Sequence, residues 1–191
     1  MKLIEAIKNE DTLQCMILLE NGIDFRSTDA RGISPLMLAS RHGMYNVVDE
    51  LLKRGADPEN LEVEYGWSAL TFACMNGHLE CVHLLLEAGA KPYTYNKDGL
   101  GVLGIALQTG RDDILEILLK AGANPNGHDD TMWTPLHYAC RYNKPNMVKI
   151  LLEAGGKLIN RNKDNQTPLD IAIQNNFEEC KELLLGTHIG E

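Results

Sequence analysis

The chain has 191 residues, and its 27 acidic residues outnumber its 18 lysines and arginines, which gives a formal net charge of −9. Hydrophobic residues make up 44% of the sequence, enough to fill an ordinary core and more than a disordered chain carries. The acidic balance disfavours general nucleic-acid binding, because neutralising phosphates requires a positive surface. No apolar run approaches the roughly 18 residues of a transmembrane helix, so a membrane location is not expected.

The N-terminus and the cysteines predict a reducing compartment. Charged residues interrupt the apolar positions between Met1 and Gly22, which disfavours a signal peptide. The 5 cysteines are odd in number and scattered, a pattern that favours free thiols over a disulfide framework. We therefore expect a cytoplasmic protein, with the nucleus as an alternative if the source is eukaryotic.

Two short phrases recur along the chain with a regular period of about 33 residues. One phrase closes on a glycine, from LLENG at Gly22 to LLEAG at Gly155, with further copies at Gly55, Gly89 and Gly122. The other phrase takes the forms SPLMLA, SALTFA, GVLGIA, TPLHYA and TPLDIA, which begin at Ser34, Ser68, Gly101, Thr134 and Thr167. A period in this range indicates stacked supersecondary units, which bury their apolar faces against one another.

Each complete unit predicts two short helices. Thr134 is expected to cap a first helix with its hydroxyl, and Pro135 follows where a missing N–H has no cost. Met147, Val148, Leu151 and Leu152 then mark a second helix, which Gly155 ends in the left-handed conformation. Polar stretches such as residues 96–99 predict tight turns between units.

These phrases resemble the ankyrin-repeat family over essentially the whole chain. The family's TPLHxA phrase is matched by Thr134, Pro135, Leu136, His137 and Ala139. Its glycine–histidine pair is matched by Gly77 and His78. The resemblance implies an all-α ankyrin-repeat solenoid of six stacked helix–turn–helix units with hairpin tips, forming a single domain over residues 1–191. The first and last units act as caps, and the unit boundaries are about 1–28, 29–61, 62–95, 96–128, 129–161 and 162–191.

A glycine-rich segment has the form of a dinucleotide-binding motif. Gly99, Gly101 and Gly104 fit GxGxxG, but polar residues precede them where the motif needs a buried strand. The repeat register explains the motif better, because Gly101 replaces a capping hydroxyl and Gly104 replaces the family's histidine. We therefore predict that residues 96–108 are the loosest internal segment, and we expect no cofactor.

Other chemistry-bearing residues have structural explanations in the same register. Cys74, His78, Cys81 and His83 could suggest zinc, but the register assigns both cysteines to the core and His78 to a bond with loop backbone. The 6 histidines are dispersed, and no serine lies in a GxSxG elbow, so an enzyme is not expected. Asn126 occupies the asparagine slot that resembles asparaginyl hydroxylase targets; its hydroxylation is left open, although Asn124-Pro125 replaces the family's Asp-Val.

The resemblance implies a concave face formed by the hairpin tips and the exposed ends of the first helices. Trp67 and Trp133 hold the same hairpin slot two units apart, which predicts two anchors on one groove. Aromatic and arginine side chains are enriched in binding hot spots. The alternative that the rings pack against adjacent hairpins stays open. The predicted partner-binding residues are the apolar anchors Tyr65, Trp67, Tyr95, Trp133 and Tyr142, with Arg141 and Arg161 for charge recognition.

The function predicted on this basis is a non-catalytic protein-interaction module. It would bind a protein or peptide in the concave groove, with no nucleic acid, membrane, metal or cofactor, and would be monomeric when unbound. The alternative is a regulatory or inhibitory subunit that blocks a partner enzyme.

Overall fold

A computed structural model describes residues 2–93, 95–97 and 99–186. Within these residues twelve α-helices occur in six successive pairs, which confirms the all-α repeat architecture and fits the six predicted units. Residues 187–191 of the predicted C-terminal cap lie outside the described part. The helices are α1 (Lys2–Lys8), α2 (Thr12–Glu20), α3 (Pro35–Arg41), α4 (Tyr45–Lys53), α5 (Ala69–Asn76), α6 (Leu79–Glu87), α7 (Val102–Thr109), α8 (Asp112–Lys120), α9 (Pro135–Arg141), α10 (Pro145–Glu153), α11 (Pro168–Gln174) and α12 (Glu178–Gly186).

The chain divides into two compact units, unit 1 over residues 1–97 and unit 2 over residues 98–191. We call the odd-numbered helices first helices and the even-numbered ones second helices. In unit 1, α3 packs between α1 and α5, while α4 packs between α2 and α6. In unit 2, α9 packs between α7 and α11, while α10 packs between α8 and α12. That residues 1–191 form one domain stays a prediction.

The recurring TPL-type phrase marks the start of a first helix. The hydroxyl oxygens of Ser34, Ser68 and Thr167 each accept a bond from the backbone N–H three residues later, at 3.2 Å in all three cases. These bonds satisfy donors that a helix N-terminus leaves unpaired. Gly101 stands at the same position of α7 and has no side-chain cap. The prediction that α7 begins without a hydroxyl cap is therefore confirmed.

Two histidines connect adjacent repeats. His137 is fully buried, and its Nδ1 accepts the Thr134 N–H at 3.1 Å. Its Nε2 therefore carries the proton and donates to the Gln166 carbonyl at 3.0 Å. His78 makes the same kind of bond to the Arg41 carbonyl at 3.0 Å, which confirms its predicted bond to loop backbone. Each histidine supplies a hydrogen bond between one helix pair and its neighbour, and that of His137 comes from a fully buried ring.

Leucines from first and second helices form much of the core. In unit 1 the buried leucines include Leu36, Leu51, Leu70 and Leu85, and in unit 2 Leu115, Leu118, Leu136 and Leu151. Burying one such side chain contributes about 1.5–3 kcal/mol. Gly155 follows the second helix α10 with φ of +86°, the left-handed conformation predicted for it. Among the described residues, no helix combines the length and apolar composition needed to cross a bilayer.

Candidate partner-binding surface

A buried carboxylate organises the hairpin of residues 62–67 in unit 1. One Glu62 carboxylate oxygen accepts the N–H groups of Tyr65 at 2.5 Å and Trp67 at 3.2 Å, and the other accepts that of Glu64 at 2.8 Å. Burial alone raises the pKa of Glu62, but these backbone donors outweigh it and hold the pKa below its ordinary 4.5. The carboxylate thus fixes the backbone from which two predicted anchors project.

The Trp67 ring packs within its own repeat. It is half-buried, with the Tyr65 ring stacked on it at a centroid distance of 4.7 Å and the edge of Phe72 at 5.6 Å. Its indole N–H is buried, and no hydrogen-bond partner contacts it among the residues that the structure describes. Tyr65 retains 39% exposure and covers the tryptophan. The ring that a partner would meet first is therefore Tyr65.

Two adjoining hairpins of unit 1 carry an exposed apolar strip. The N–H of Lys97 donates to the Tyr65 carbonyl at 2.8 Å, which joins the two hairpins. Leu61, Val63 and Tyr65 lie on or beside the first hairpin, and Tyr93 and Tyr95 lie on the segment that leads into the second. The unit 1 apolar strip consists of Leu61 (51% exposed), Val63 (64%), Tyr65 (39%), Tyr93 (53%) and Tyr95 (44%).

Unit 2 builds its hairpin of residues 129–133 in the same way. One Asp129 carboxylate oxygen accepts the N–H groups of Thr131 at 2.8 Å and Trp133 at 2.9 Å, and the other accepts the Tyr138 hydroxyl. Burial works against the Asp129 charge, but these donors lower its pKa below the ordinary 3.8. Burial, followed by the bond to Asp129, raises the pKa of Tyr138. Tyr138 therefore stays a neutral donor.

A row of rings follows from this hairpin along α9. Trp133 is half-buried, with its ring centroid 5.3 Å from that of Tyr138. Tyr138 in turn stacks on Tyr142, one helical turn later, at 6.1 Å with an interplanar angle of 18°. Tyr142 is 36% exposed at the C-terminus of α9. Tyr142 is thus the ring of this row that stands out most from the surface.

The two predicted cationic residues differ in their surroundings. Arg161 donates to the Asn165 carbonyl at 2.6 Å and lies 3.9 Å from an Asp170 carboxylate oxygen. Arg141 is exposed, and in the part of unit 2 that the structure describes no acceptor or ring contacts its guanidinium. Arg141 is therefore free to bind an external anion, whereas Arg161 also organises its own hairpin.

The predicted site residues fall into two groups. Tyr65, Trp67 and Tyr95 lie in unit 1, and Trp133, Arg141, Tyr142 and Arg161 lie in unit 2. The single groove joining the tryptophans stays a prediction. Each tryptophan packs against rings of its own repeat, so that tyrosines supply most of the exposed aromatic surface. Val63 and Tyr93 were not predicted, although the alternating apolar pattern of residues 61–65 and 93–95 could have indicated them.

All five thiols are buried. Cys15, Cys74, Cys81, Cys140 and Cys180 are free cysteines with at most 1% exposure. Burial raises the pKa of Cys74 to about 12 and that of Cys81 to about 11. Both thiols are consequently protonated at neutral pH, and thiolates are the form that attacks substrates and binds metal. The suggested zinc partner His78 is bonded to backbone instead.

Paired helices that recur in a regular register, joined through hairpins and connected by histidine bonds to the backbone of a neighbouring repeat, define an α-helical repeat protein. The chain belongs to the ankyrin-repeat family. The family model for ankyrin repeats matches it in three copies, over residues 3–96, 59–129 and 103–191.

Curated relatives share parts of this array. The human Inhibitor of Bruton tyrosine kinase is 35% identical over 80 residues, which cover 42% of this chain and 6% of that protein. The E3 ubiquitin-protein ligase XBAT33 of Arabidopsis thaliana is 40% identical over 70 residues, 37% of this chain and 14% of the ligase. The Tyrosine-protein kinase HTK16 of Hydra vulgaris is 32% identical over 104 residues, 54% of this chain and 14% of the kinase. The matched regions thus span at most 14% of these relatives.

Proposed function

We propose that the chain is a non-catalytic module that binds a protein or peptide partner through its hairpins and first-helix ends. The unit 1 apolar strip carries this proposal, because its five large apolar side chains are 39–64% exposed on adjoining hairpins. Contiguous exposed apolar side chains on a folded protein mark interaction surfaces, and tyrosines are frequent hot-spot residues. Ankyrin repeats generally mediate protein–protein interaction, which agrees with this reading of the strip.

The backbone beneath the strip supports the proposal. The three N–H bonds to Glu62 and the hairpin-closing bond from the Glu62 N–H to the Trp67 carbonyl, at 3.0 Å, restrict its motion. A surface held in its binding conformation loses little conformational entropy on association. A cytoplasmic or nuclear location belongs to the same proposal and is supported by five unpaired thiols.

Regulation of an enzyme is the narrower candidate function. The likeness over 80 residues to the Inhibitor of Bruton tyrosine kinase favours it, although that region is 6% of the relative. An activity assay on each captured partner, with and without the chain, separates inhibition from scaffolding. A partner whose activity does not change on binding argues for a scaffold.

The proposal is tested by capture from a cell lysate with the immobilised chain. The double variant Tyr65→Ser with Tyr95→Ser removes two rings from the strip, and Tyr45→Ser is the control, because Tyr45 is 52% exposed on α4. We expect specific partners whose recovery falls at least about fivefold with the double variant and is retained with the control. Thermal unfolding of each variant verifies the fold. Equal recovery from all variants would contradict the proposal.

A further inference from the structure

Charge is unequally distributed between the two kinds of helix. The six second helices contain twelve acidic and four basic residues, whereas the six first helices contain two acidic and four basic ones. One of those two acids, Asp170, accepts the Thr167 N–H at 2.8 Å as part of a helix cap. Among the helices, acidic side chains are thus concentrated on the second helices and the first helices carry a positive excess; the other 13 acidic residues lie outside these helices.

Three of the four basic residues of the first helices lie in one register slot near the helix C-termini. We call this the helix-end slot; it recurs once in each repeat, and it holds no carboxylate and three cations. Five of its side chains are exposed and that of Met75 is half-buried. The helix-end slot comprises Lys8, Arg41 and Met75 in unit 1, and Gln108, Arg141 and Gln174 in unit 2.

Arginines elsewhere in the chain are engaged within their own unit. Of the seven, Arg31, Arg54, Arg111 and Arg161 bind carboxylate or carbonyl oxygens at 2.6–3.0 Å, and Arg26 lies 4.9 Å from the Phe25 ring. Arg41 and Arg141 differ, since no ion pair or ring contact of their guanidinium groups occurs within residues 2–93, 95–97 and 99–186. The two unengaged guanidinium groups therefore share the helix-end slot, one in each unit.

The slot lies beside the hairpin of the same repeat. In the last repeat, the Gln166 side-chain amide donates to the Gln174 side-chain oxygen at 2.8 Å. Gln166 and Gln174 are the register equivalents of Trp133 and Arg141, which lie one repeat earlier in the chain. Arg141 is consequently within reach of Trp133, and it precedes the exposed Tyr142. A partner residue at this point meets a cation next to aromatic surface.

We infer that the partner presents an acidic segment, whose aspartate or glutamate carboxylates pair with the guanidinium group of the helix-end slot, that of Arg41 in unit 1 or that of Arg141 in unit 2. This inference rests on the proposed function and specifies its partner. A guanidinium group forms two parallel bonds to a carboxylate, which gives both strength and orientation. No carboxylate occupies the helix-end slot, and the helical carboxylates lie mainly on the second helices, so that the slot attracts a negative segment even though the whole chain is acidic.

A displayed library of random dodecapeptides tests the inference. It is selected on the wild-type chain, on the double variant Arg41→Gln with Arg141→Gln, and on the control Lys149→Gln with Lys157→Gln. The control removes the same two charges from exposed lysines of unit 2 outside the slot. We expect peptides selected on the wild type and the control to be enriched about twofold or more in aspartate and glutamate, and those from the double variant to lose this enrichment.

Affinities of the best selected peptide complete the test. Its Kd should rise about tenfold for the double variant and less than about twofold for the control, and it should rise with salt for the wild type. Selected peptides without acidic enrichment, or equal affinity for the double variant, would overturn the inference and leave the proposed function standing. Binding that requires phosphoserine in place of carboxylates would overturn it too. If no peptide is selected and the double variant Tyr65→Ser with Tyr95→Ser captures as the wild type does, both the inference and the proposed function are contradicted.

Discussion

At the residue scale, Asp129 connects folding to the shape of the surface. Its carboxylate accepts two hairpin N–H groups and the Tyr138 hydroxyl. Asp129→Asn keeps the shape but replaces one acceptor oxygen with a donor, so we expect the free energy of unfolding to fall by about 1–3 kcal/mol. Urea unfolding at pH 7 measures the change. Asp164→Asn, on an exposed hairpin residue, is the control, and an equal loss in both variants would refute this role.

The same carboxylates predict how stability depends on pH. The pKa values of Asp129, Glu62 and Asp170 are lower in the folded chain than their ordinary 3.8, 4.5 and 3.8, so the unfolded chain takes up protons first as the pH falls. Their contribution is complete above the ordinary values and is lost as the pH falls through the folded ones. We expect the urea midpoint to drop from about pH 5 to pH 3, with a smaller drop for Asp129→Asn. Parallel curves for the two proteins would exclude Asp129 as a source.

At the element scale, α7 differs from α9 in how it starts. Gly101 provides no cap, and Gly104 stands where His137 of α9 binds the next repeat, with the Leu100 side chain filling the space over it. We expect faster amide exchange in α7 than in residues 129–141, in line with the predicted looseness of residues 96–108, of which residue 98 lies outside the described part. Exchange no faster in α7 would contradict this prediction.

A reciprocal pair of variants tests the same element. Gly101 has φ of −80° and ψ of 164°, a conformation that threonine adopts readily. Gly101→Thr should raise the free energy of unfolding by about 1 kcal/mol and slow exchange in α7, because a hydroxyl then caps the helix. Thr134→Gly should act in the opposite direction on α9. Changes of the same sign in both variants would exclude capping as the cause.

Helix positions were predictable because each depends on residues within one period. Thr134 and Pro135 start α9 at the predicted position, although the Thr134 hydroxyl bonds to the His137 ring at 2.8 Å, and Gly155 follows α10 in the left-handed conformation. Ring exposure was not predictable, because it depends on which side chain of the following helix faces the hairpin. Phe72 and Tyr138 cover much of Trp67 and Trp133. The engagement of Arg161 likewise requires the hairpin turn that brings the Asn165 carbonyl within 2.6 Å.

At the scale of the whole molecule, residues of the same type have different roles at different positions of the repeat register. Glu62 and Asp129 begin hairpins and bind backbone N–H groups, as the uncharged Asn162 does, while the acidic residues within helices lie mainly on the second helices. A formal charge of −9 therefore describes the chain poorly as a binding surface. The sign of the charge at a given place follows from the helix on which it lies.

The reactivity of the buried cysteines would report partial unfolding of the array. A thiol with at most 1% exposure reacts with a modifying reagent only after its helix leaves the stack. Unit 1 carries Cys15, Cys74 and Cys81, and unit 2 carries Cys140 and Cys180. Time-resolved alkylation followed by peptide mapping would thus rank the repeats by their opening rates without any introduced label.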